Sequence, residues 1–387
     1  MSCPFHRILD PSNRADPYPL FTELRATPVA LQDDGTYVVS TYREIVALLH
    51  DPRVSSTRRR FDRTPAFIGL DPPEHDRLRR LAMRHFGPPH APGRIDALRP
   101  EMLALTTGLI NDLAGKQRAD LVDEVAYPLP VAMICRLLGV PREDEPTFHA
   151  WADRLIELLG PGDEHLEESR EVAAKLDHYL GELVDERRHK LGDDMLSGFI
   201  ADGEMTRDEI VRTGVLLLIA GHETTINLIA NGMLTFLRRP DILARVHDDP
   251  GLIVPAVEEL LRYEPPVQLI SSRVALEDIE VGGVVIPAGA PIVLAVAAGS
   301  RDPEHVADPD TFSLDRQRNE HLGFGGGIHY CFGAPLARLE AQIVLTELVR
   351  RLRNPRLVAD PPPYRPSPIL RGPRHLLVDY DEVLSAR

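Results

Sequence analysis

The chain has 387 residues, of which 43% are hydrophobic and only 5% aromatic, so it can bury a large and mainly aliphatic core. Its 59 acidic and 44 basic side chains give a net charge of −15, which disfavours binding of nucleic acid over the whole surface. The N-terminus lacks the apolar core of a signal peptide, and the longest strongly apolar run, residues 215–220, is far shorter than the roughly 20 residues that span a bilayer. We therefore expect a cytoplasmic protein without a membrane anchor.

The cysteines are few and far apart. Cys3, Cys135 and Cys331 are an odd number in a chain without a secretory signal, so no disulfide framework is expected. The alternative to a disulfide framework is that one of these cysteines has a chemical role.

The first fifty residues predict short, mixed elements. Residues 18–26 favour a helix, and residues 29–31 and 37–40 favour two strands around an Asp-Asp-Gly turn. Thr41 is the expected N-cap of a helix that ends at His50, with Glu44 completing a capping box.

Residues 100–239 predict an almost entirely helical region. Apolar residues recur at helical spacing in four segments: 102–113, 131–138, 150–159 and 172–184. A longer helix opens at Thr206, with Glu209 in a second capping box, and ends before Pro240. It would extend roughly 45–50 Å. Because its middle is apolar on nearly every face, we expect it to run through the core.

The remainder of the chain adds small strands and two more helices. The predicted elements are a helix over 253–263, strands over 272–276, 284–286 and 292–297, a glycine-rich loop over 323–333 and a last helix over 334–353. The sequence thus predicts a mainly α protein with small β-sheets, organised as a single domain over residues 1–387.

The glycine-rich loop contains Cys331 immediately before a helix. Glycines let backbone approach a flat ligand closely, and a helix N-terminus stabilises a thiolate. A soft anionic sulfur suits iron and, as a haem ligand, favours O–O cleavage. The alternatives are a buried structural cysteine, or a zinc site that includes His329. Zinc lacks a second ligand pair at suitable spacing, and a phosphate-binding loop would need a Lys followed by Ser or Thr.

Two other segments carry unusual polar residues. Glu223 and Thr224 interrupt the apolar middle of the long helix, where buried polar groups cost roughly 1–3 kcal/mol each if unsatisfied. The alternative is a kink or a solvated notch without chemistry. Glu259 and Arg262 are spaced to pair on one helix face, a pattern that is also common on solvated faces.

Together these segments resemble the cytochrome P450 superfamily. Phe324, Gly327, His329, Cys331 and Gly333 stand in the pattern of its haem-binding signature, and the resemblance extends over essentially the whole chain. It is closest to the soluble bacterial members. It implies a triangular helical prism around a buried haem b, in which Cys331 is the axial ligand of the iron. The bulky residue Phe332 departs from the aliphatic residue expected there.

The resemblance also implies roles for the residues of the long helix. Glu223 and Thr224 would organise water and deliver protons during oxygen activation, a form of general acid catalysis. Ala220 and Gly221 would leave a groove beside the haem for O2 and substrate. Thr225 would be secondary.

Two further groups of residues would hold the cofactor and its loop. Glu259, Arg262 and Arg316 would form an ion network that supports the cysteine loop. Four basic side chains would bind the haem propionates, since buried carboxylates need cationic partners: His75, Arg79, Arg273 and His329.

The implied reaction is insertion of one atom of O2 into a hydrophobic small molecule of terpenoid, steroid or polyketide type. Electrons would come from a ferredoxin and its reductase, docked near Arg338, Arg77 and Arg80, and the protein would be a monomer. Substrate contacts are expected from residues 58–70, 216–224, 266–271 and 369–370, with Gln268 as the one polar group beside Val267, Leu269 and Ile270.

Three other functions compete with this interpretation. A peroxide-driven peroxygenase would have no need of the Glu223–Thr224 pair. A haem-binding sensor would need the Cys331 loop alone. A haem-free helical protein would need neither.

Overall fold

A computed structural model describes residues 3–56, 66–157 and 166–386, and it divides into two compact units. We call Met1–Val54, Glu101–Pro128 and Thr224–Arg387 the sheet unit, and Ser55–Pro100 and Leu129–Glu223 the helical unit. The boundary at Glu223 falls inside one continuous helix, so the chain passes between the units there without a linker.

Helices make up about half of the described chain. In chain order they are α1 (Pro4–Leu9), α2 (Tyr18–Arg25), α3 (Tyr42–His50), α4 (Glu74–Met83), α5 (Arg94–Ala97), α6 (Arg99–Asn111), α7 (Pro128–Leu138), α8 (Glu145–Glu157), α9 (Leu166–His189), α10 (Met195–Asp202), α11 (Arg207–Leu237), α12 (Pro240–Asp248), α13 (Ile253–Tyr263), α14 (Val296–Gly299) and α15 (Ala334–Arg351). A π-helical turn at Val122–Ala126 precedes α7.

The strands are short and form small sheets. They are β1 (Val29–Leu31), β2 (Tyr37–Val39), β3 (Val54–Ser55), β4 (Arg118–Asp120), β5 (Ile270–Ala275), β6 (Ile279–Val281), β7 (Val284–Ile286), β8 (Pro291–Leu294), β9 (Leu352–Arg353), β10 (Arg356–Leu357), β11 (Leu377–Asp379) and β12 (Glu382–Val383). The mainly α class with small sheets is therefore confirmed.

The main sheet of the sheet unit is buried on both sides. Strands β1, β2, β8 and β5 lie side by side in that order, and β2 and β8 pair in parallel. Since alternate residues of a strand face opposite sides, Val39 and Leu294 enter one apolar cluster, and Val38 and Val293 enter another. The sheet thus forms the centre of the core of this unit.

The helical unit packs its helices on aliphatic side chains and on close helix contacts. Leu176, Leu180 and Val184 on α9 are all fully buried. A Cβ on Gly214 of α11 would lie 2.6 Å from the side chain of Leu180, so the glycine allows these two helices to approach closely. Helix α11 has 31 residues, which corresponds to about 46 Å. It is long and apolar enough to cross a membrane by those criteria alone, but it is largely buried in the protein.

Most predicted elements are confirmed, and the differences have local causes. The helix at Ile253–Tyr263 and the strands at Val29–Leu31 and Val284–Ile286 match the prediction. The strand predicted for 292–297 is wrong at its end, because the small residues after Ala295 form the helical turn α14. The helix predicted for 150–159 ends at Glu157 in the described chain, and residues 158–159 lie outside it.

The two predicted capping boxes have different outcomes. At α11, Glu209 N donates to Thr206 Oγ1 and Thr206 N donates to the Glu209 carboxylate, so this box is confirmed. Thr41 occupies the N-cap of α3, but its hydroxyl donates directly to the Glu44 carboxylate and caps no backbone N–H. The prediction was wrong there because the two side chains satisfy each other.

Candidate active site

Cys331 lies in a tightly closed loop at the start of α15. Its backbone N–H donates to the carbonyl of Phe324 at 2.9 Å, and Ala337 N donates to the carbonyl of Gly333, which is the N-cap of the helix. Cys331 is partly exposed, whereas Cys135 is buried. The loop therefore places a partly exposed cysteine two residues before the N-cap of an 18-residue helix.

Glycines are required at two points of this loop. Gly327 has φ +62°, and a Cβ there would collide with the backbone carbonyl of Leu49. A Cβ on Gly323 would lie 2.6 Å from the carbonyl oxygen of Leu261 on α13. Backbone packed this closely against its neighbours leaves the loop little freedom to move.

The Glu259 carboxylate, which is fully buried, is the centre of an ion network. The guanidinium of Arg262 contacts both carboxylate oxygens at 2.8 Å, and Arg316 Nε donates to Oε1 at 2.8 Å. Ser313 N and Asn319 Nδ2 donate to the same carboxylate. The structure thus brings all three predicted residues together. Other N–H groups of the two arginines donate to backbone carbonyls of the segment before the cysteine loop, at Ala307, Asp308, Pro309 and Thr311.

A second carboxylate, Glu258, contacts both sides of the cysteine loop. It binds His321 Nε2 at 3.1 Å and the Arg338 guanidinium through bonds of 2.7 and 2.9 Å. Arg338 in turn donates to the Tyr330 hydroxyl and lies over the Phe324 ring. Burial would raise the pKa of Glu258, but the hydrogen bonds from His321 and Arg338 prevail and lower it to about 2. Glu258 was not predicted from the sequence, although its place beside Glu259 was a signal.

Another missed residue is Glu340, a fully buried acid on α15. Burial raises the pKa of Glu340 well above its usual range, and the hydrogen bond with Thr225 of α11 opposes this only in part. The environment therefore favours the neutral acid. The signal available in the sequence was a glutamate between Leu339 and Ala341 on a predicted helix.

Helix α11 exposes a narrow stripe in its otherwise buried middle. Ala220 is exposed and Thr224, one turn later, is partly exposed, whereas Glu223 is 1% exposed. His222 is buried with Nδ1 2.7 Å from the carbonyl of Leu218, in line with its having no predicted chemical role. A stripe of accessible small and polar residues on a core helix is typical of a helix that lines a cavity.

The prediction of a groove at Gly221 needs correction. A Cβ at Gly221 would lie 2.9 Å from Ile134 Cδ1 and Cγ1. The space that the glycine leaves is thus filled by α7, and the residue serves helix packing. Ala220 remains consistent with the predicted opening.

The four basic residues predicted for the propionates are divided between the units. His75 and Arg79 lie one turn apart on α4 in the helical unit, and His75 is buried with Nδ1 2.8 Å from the Asp76 carboxylate. Arg273 is 8% exposed on β5, and His329 is partly exposed in the cysteine loop, both in the sheet unit.

Two of the three arginines predicted for docking are held in ion pairs. Arg338 is bound to Glu258, and Arg77 pairs with Glu209. Arg80 is exposed on α4. The first two are therefore poorer docking charges than the sequence suggested.

The predicted substrate contacts need two corrections. Gln268 is buried, and its amide donates to the carbonyl of Pro265 at 2.6 Å, so it is no exposed polar group. Leu269 is buried in the core cluster of α1 and α2, whereas Val267 and Ile270 are half-buried. Residues 58–65 of the first predicted segment lie outside the described residues.

The donor set fits the haem that the resemblance implies. A partly exposed cysteine at a helix N-terminus suits an iron ligand, and Arg273 and Arg79 suit carboxylates. Zinc gains no support, because the group of described residues close enough to hold an ion comprises Asp120, Asp123 and His375 rather than Cys331.

Comparison with known proteins gives one consistent result. The family model for cytochrome P450 matches residues 56–378. The chain is 38% identical over 384 residues to cytochrome P450 monooxygenase PikC of Streptomyces venezuelae, covering 92% of this chain and 89% of that protein. It is 37% identical to the vitamin D(3) 25-hydroxylase of Pseudonocardia autotrophica, covering 92% of each. The econazole-bound structure of Mycobacterium smegmatis CYP164A2 superimposes with a TM-score of 0.90 at 39% identity, covering 97% of this chain and 99% of that one.

Proposed function

This chain belongs to the cytochrome P450 family, and from that premise we propose that Cys331 is the axial ligand of haem b in a monooxygenase made of residues 1–387. The protein is an oxidoreductase that uses a small-molecule substrate, O2 and electrons from a redox partner. Bound haem supplies the oxygen-activating chemistry, to which a thiolate ligand contributes electron density.

The closed loop around Cys331 is the observation that carries this proposal. Its backbone is pinned by the Cys331–Phe324 hydrogen bond and by close packing at Gly327. The N-terminus of α15 stabilises negative charge on the sulfur. Glu259, Arg262 and Arg316 hold the segment before the loop, which keeps the sulfur in place when the cofactor binds.

Glu223 and Thr224 move protons in this proposal. The partly exposed Thr224 hydroxyl holds a water in the stripe on α11, and the adjacent carboxyl of Glu223 renews the proton that this water gives up. Ala220 keeps the same stripe open. His75, Arg79, Arg273 and His329 bind the two propionates.

The substrate is a hydrophobic molecule of terpenoid, steroid or polyketide type, and residues 266–271 and 369–370 contribute to its pocket. The half-buried apolar residues Val267 and Ile270 support this, as does the vitamin D(3) 25-hydroxylase among the relatives. Two electrons per turnover come from a ferredoxin, with Arg80 as the exposed docking charge, and the enzyme acts as a cytoplasmic monomer.

The test of ligation is the absorption spectrum of the reduced protein with carbon monoxide. We expect a strongly red-shifted Soret band in the wild type and its loss in Cys331→Ser, with Cys135→Ser as the control that keeps the band. Haem-loaded wild-type protein without this band would refute the proposal.

A second experiment separates an oxygenase from a peroxygenase or a sensor. Thr224→Ala should consume electrons without forming an equivalent amount of product. Thr225→Val is the control: it removes the neighbouring hydroxyl and shows whether loss of any hydroxyl at this place has the same effect. Unchanged coupling in Thr224→Ala, or equal turnover with peroxide alone, would favour one of the other functions.

Docking is tested by the salt dependence of reduction by an acidic ferredoxin. Arg80→Gln should slow the second-order reduction rate and flatten its dependence on ionic strength. An unchanged rate and slope would remove Arg80 from the docking surface.

A further inference from the structure

Two chain segments that the proposed function assigns to the substrate pocket are paired directly with each other. Arg371 N donates to the carbonyl of Pro266 at 2.8 Å, and Gln268 N donates to the carbonyl of Ile369 at 2.8 Å. Between these bonds, Val267 and Leu370 form an antiparallel bridge. So short a ladder is only marginally stable by itself and needs other contacts to fix its position.

The side chain of Arg371 supplies such contacts at one end of the ladder. It is 2% exposed and pairs with the Glu264 carboxylate, at the C-cap of α13. Its Nε donates to the carbonyl of Arg14 at 2.8 Å, and Nη2 donates to that of Ala15 at 2.9 Å. One guanidinium thus joins the C-terminal segment to α13 and to the N-terminal segment.

The Glu264 carboxylate, which pairs with Arg371, is also bound by other groups. The Tyr18 hydroxyl donates to Glu264 Oε2 at 3.1 Å, and the buried Arg301 lies 3.5 Å from Oε1. Burial would raise the pKa of Glu264, but Arg371 and Arg301 outweigh it and lower the pKa. The partner of Arg371 therefore stays charged and fixed in position.

The same junction reaches the helix that carries Thr224. Asn231 of α11 is 1% exposed, and its Nδ2 donates to the carbonyls of Arg371 at 3.0 Å and Glu264 at 3.3 Å. Asn231 is seven residues after Thr224 and so lies on the same face of the helix. A Cβ on Gly372 would collide with the side chain of Asn227, one turn before Asn231, so this segment packs tightly against α11.

We propose that Arg371 is a specificity-determining positioning residue, which sets the distance of residues 266–270 and 369–370 from the Thr224 face of α11. The inference rests on the proposed function, because that function makes these segments part of the substrate pocket. Arg371 touches no substrate. It acts through the two segments whose carbonyls and amides it holds.

The test compares a large and a small ligand that bind the same iron. Econazole and imidazole both coordinate through an imidazole ring, but econazole also occupies the surrounding pocket with a large apolar group. Arg371→Lys keeps the charge opposite Glu264 but loses the planar fork that serves two carbonyls. Titration of the ferric protein should show a rise of about ten-fold in the Kd of econazole, the size of effect that a lost apolar contact has in a pocket. The Kd of imidazole should stay within about two-fold of the wild-type value.

Arg351→Lys is the matched control. Arg351 is 3% exposed and also uses its fork on oxygens of separate segments, the carbonyl of Leu384 at 2.8 Å and Asn111 Oδ1 at 2.5 Å. It should leave both Kd values unchanged. If Arg371→Lys does not fold, Asn231→Ala replaces it, since this variant removes donors to the junction without disturbing the ion pair.

Each outcome separates the inference from the proposed function. A selective loss of econazole affinity in Arg371→Lys or Asn231→Ala supports the inference. The inference is overturned if the Kd values of both ligands change in parallel, if neither changes, or if Arg351→Lys has the same effect. In each of these cases the wild type would still show the carbon monoxide band, so the proposed function would be unaffected. Absence of that band from the haem-loaded wild-type protein would refute the proposed function instead.

Discussion

Replacing Glu258 by Gln tests how strongly the structure holds the cysteine loop. The pKa of Glu258 falls from 4.5 to about 2 because His321 and Arg338 hydrogen-bond its charged form more strongly than burial opposes it. A ten-fold change in an ionisation constant corresponds to about 1.4 kcal/mol, so this change corresponds to roughly 3 kcal/mol. The carboxylate is 27% exposed, and screening by water reduces the expected loss of unfolding free energy to about 1–2 kcal/mol at pH 7.

The pH dependence of this loss has a definite sign. A carboxyl group whose pKa is lowered by folding stabilises the protein above its unfolded pKa, and this stabilisation disappears as the pH falls through the folded value. The difference in unfolding free energy between wild type and Glu258→Gln should be constant above about pH 5, narrow below 4.5 and approach zero near 2. Urea unfolding at a series of pH values measures it, as far into acid as the folded baseline persists.

The control is Glu382→Gln, which removes the exposed partner of Arg353. Such exposed pairs contribute little, so we expect no change beyond experimental error. If Glu258→Gln is as stable as the wild type at pH 7, or if the difference persists unchanged into acid, the Glu258 carboxylate does not stabilise the loop.

Three further variants test other features of the structure. Glu340→Gln should become increasingly more stable than the wild type as the pH rises above 4.5, because burial raises the pKa of Glu340 and ionisation then opposes folding; a difference in Tm that is independent of pH would contradict this. Gly327→Ala should lower the unfolding free energy by more than the roughly 1 kcal/mol expected from positive φ alone. Gly283→Ala is the control: this glycine also has positive φ but lies in open space, so its variant measures the cost of positive φ by itself. Gly221→Ala should lower the Tm, and Ile134→Val should restore part of it by removing Cδ1; an unchanged Tm would show that α7 can move aside.

Helical periodicity and turn residues predicted most of the fold. Helix α13 was predicted to the residue because apolar spacing defines its buried face and prolines follow it. The end of β8 was not, since Ala295 to Gly299 have no pattern that separates a strand from a turn. Which strands pair depends on contacts between distant parts of the chain, and local periodicity carries no information about them.

The candidate site was predictable where a motif specified it. The Cys331 loop and the Glu259–Arg262 pair have characteristic spacing, and the structure brings the latter together with Arg316. Glu258, beside Glu259, and Glu340, between Leu339 and Ala341, have only weak signals in the sequence. Their environments arise from tertiary packing alone, as do the roles of Gly221 and Gln268 in helix packing and backbone support.

The order β1-β2-β8-β5 in the main sheet bears on how the chain is synthesised and folds. Val38 pairs with Val293, so the early hairpin remains without its neighbour until about 250 further residues have been made. At ribosomal rates of about 5–20 residues per second, that interval is roughly 10–50 s. Throughout it the nascent chain exposes the unpaired edge of β2, which makes this hairpin a segment that gains from chaperone protection during expression.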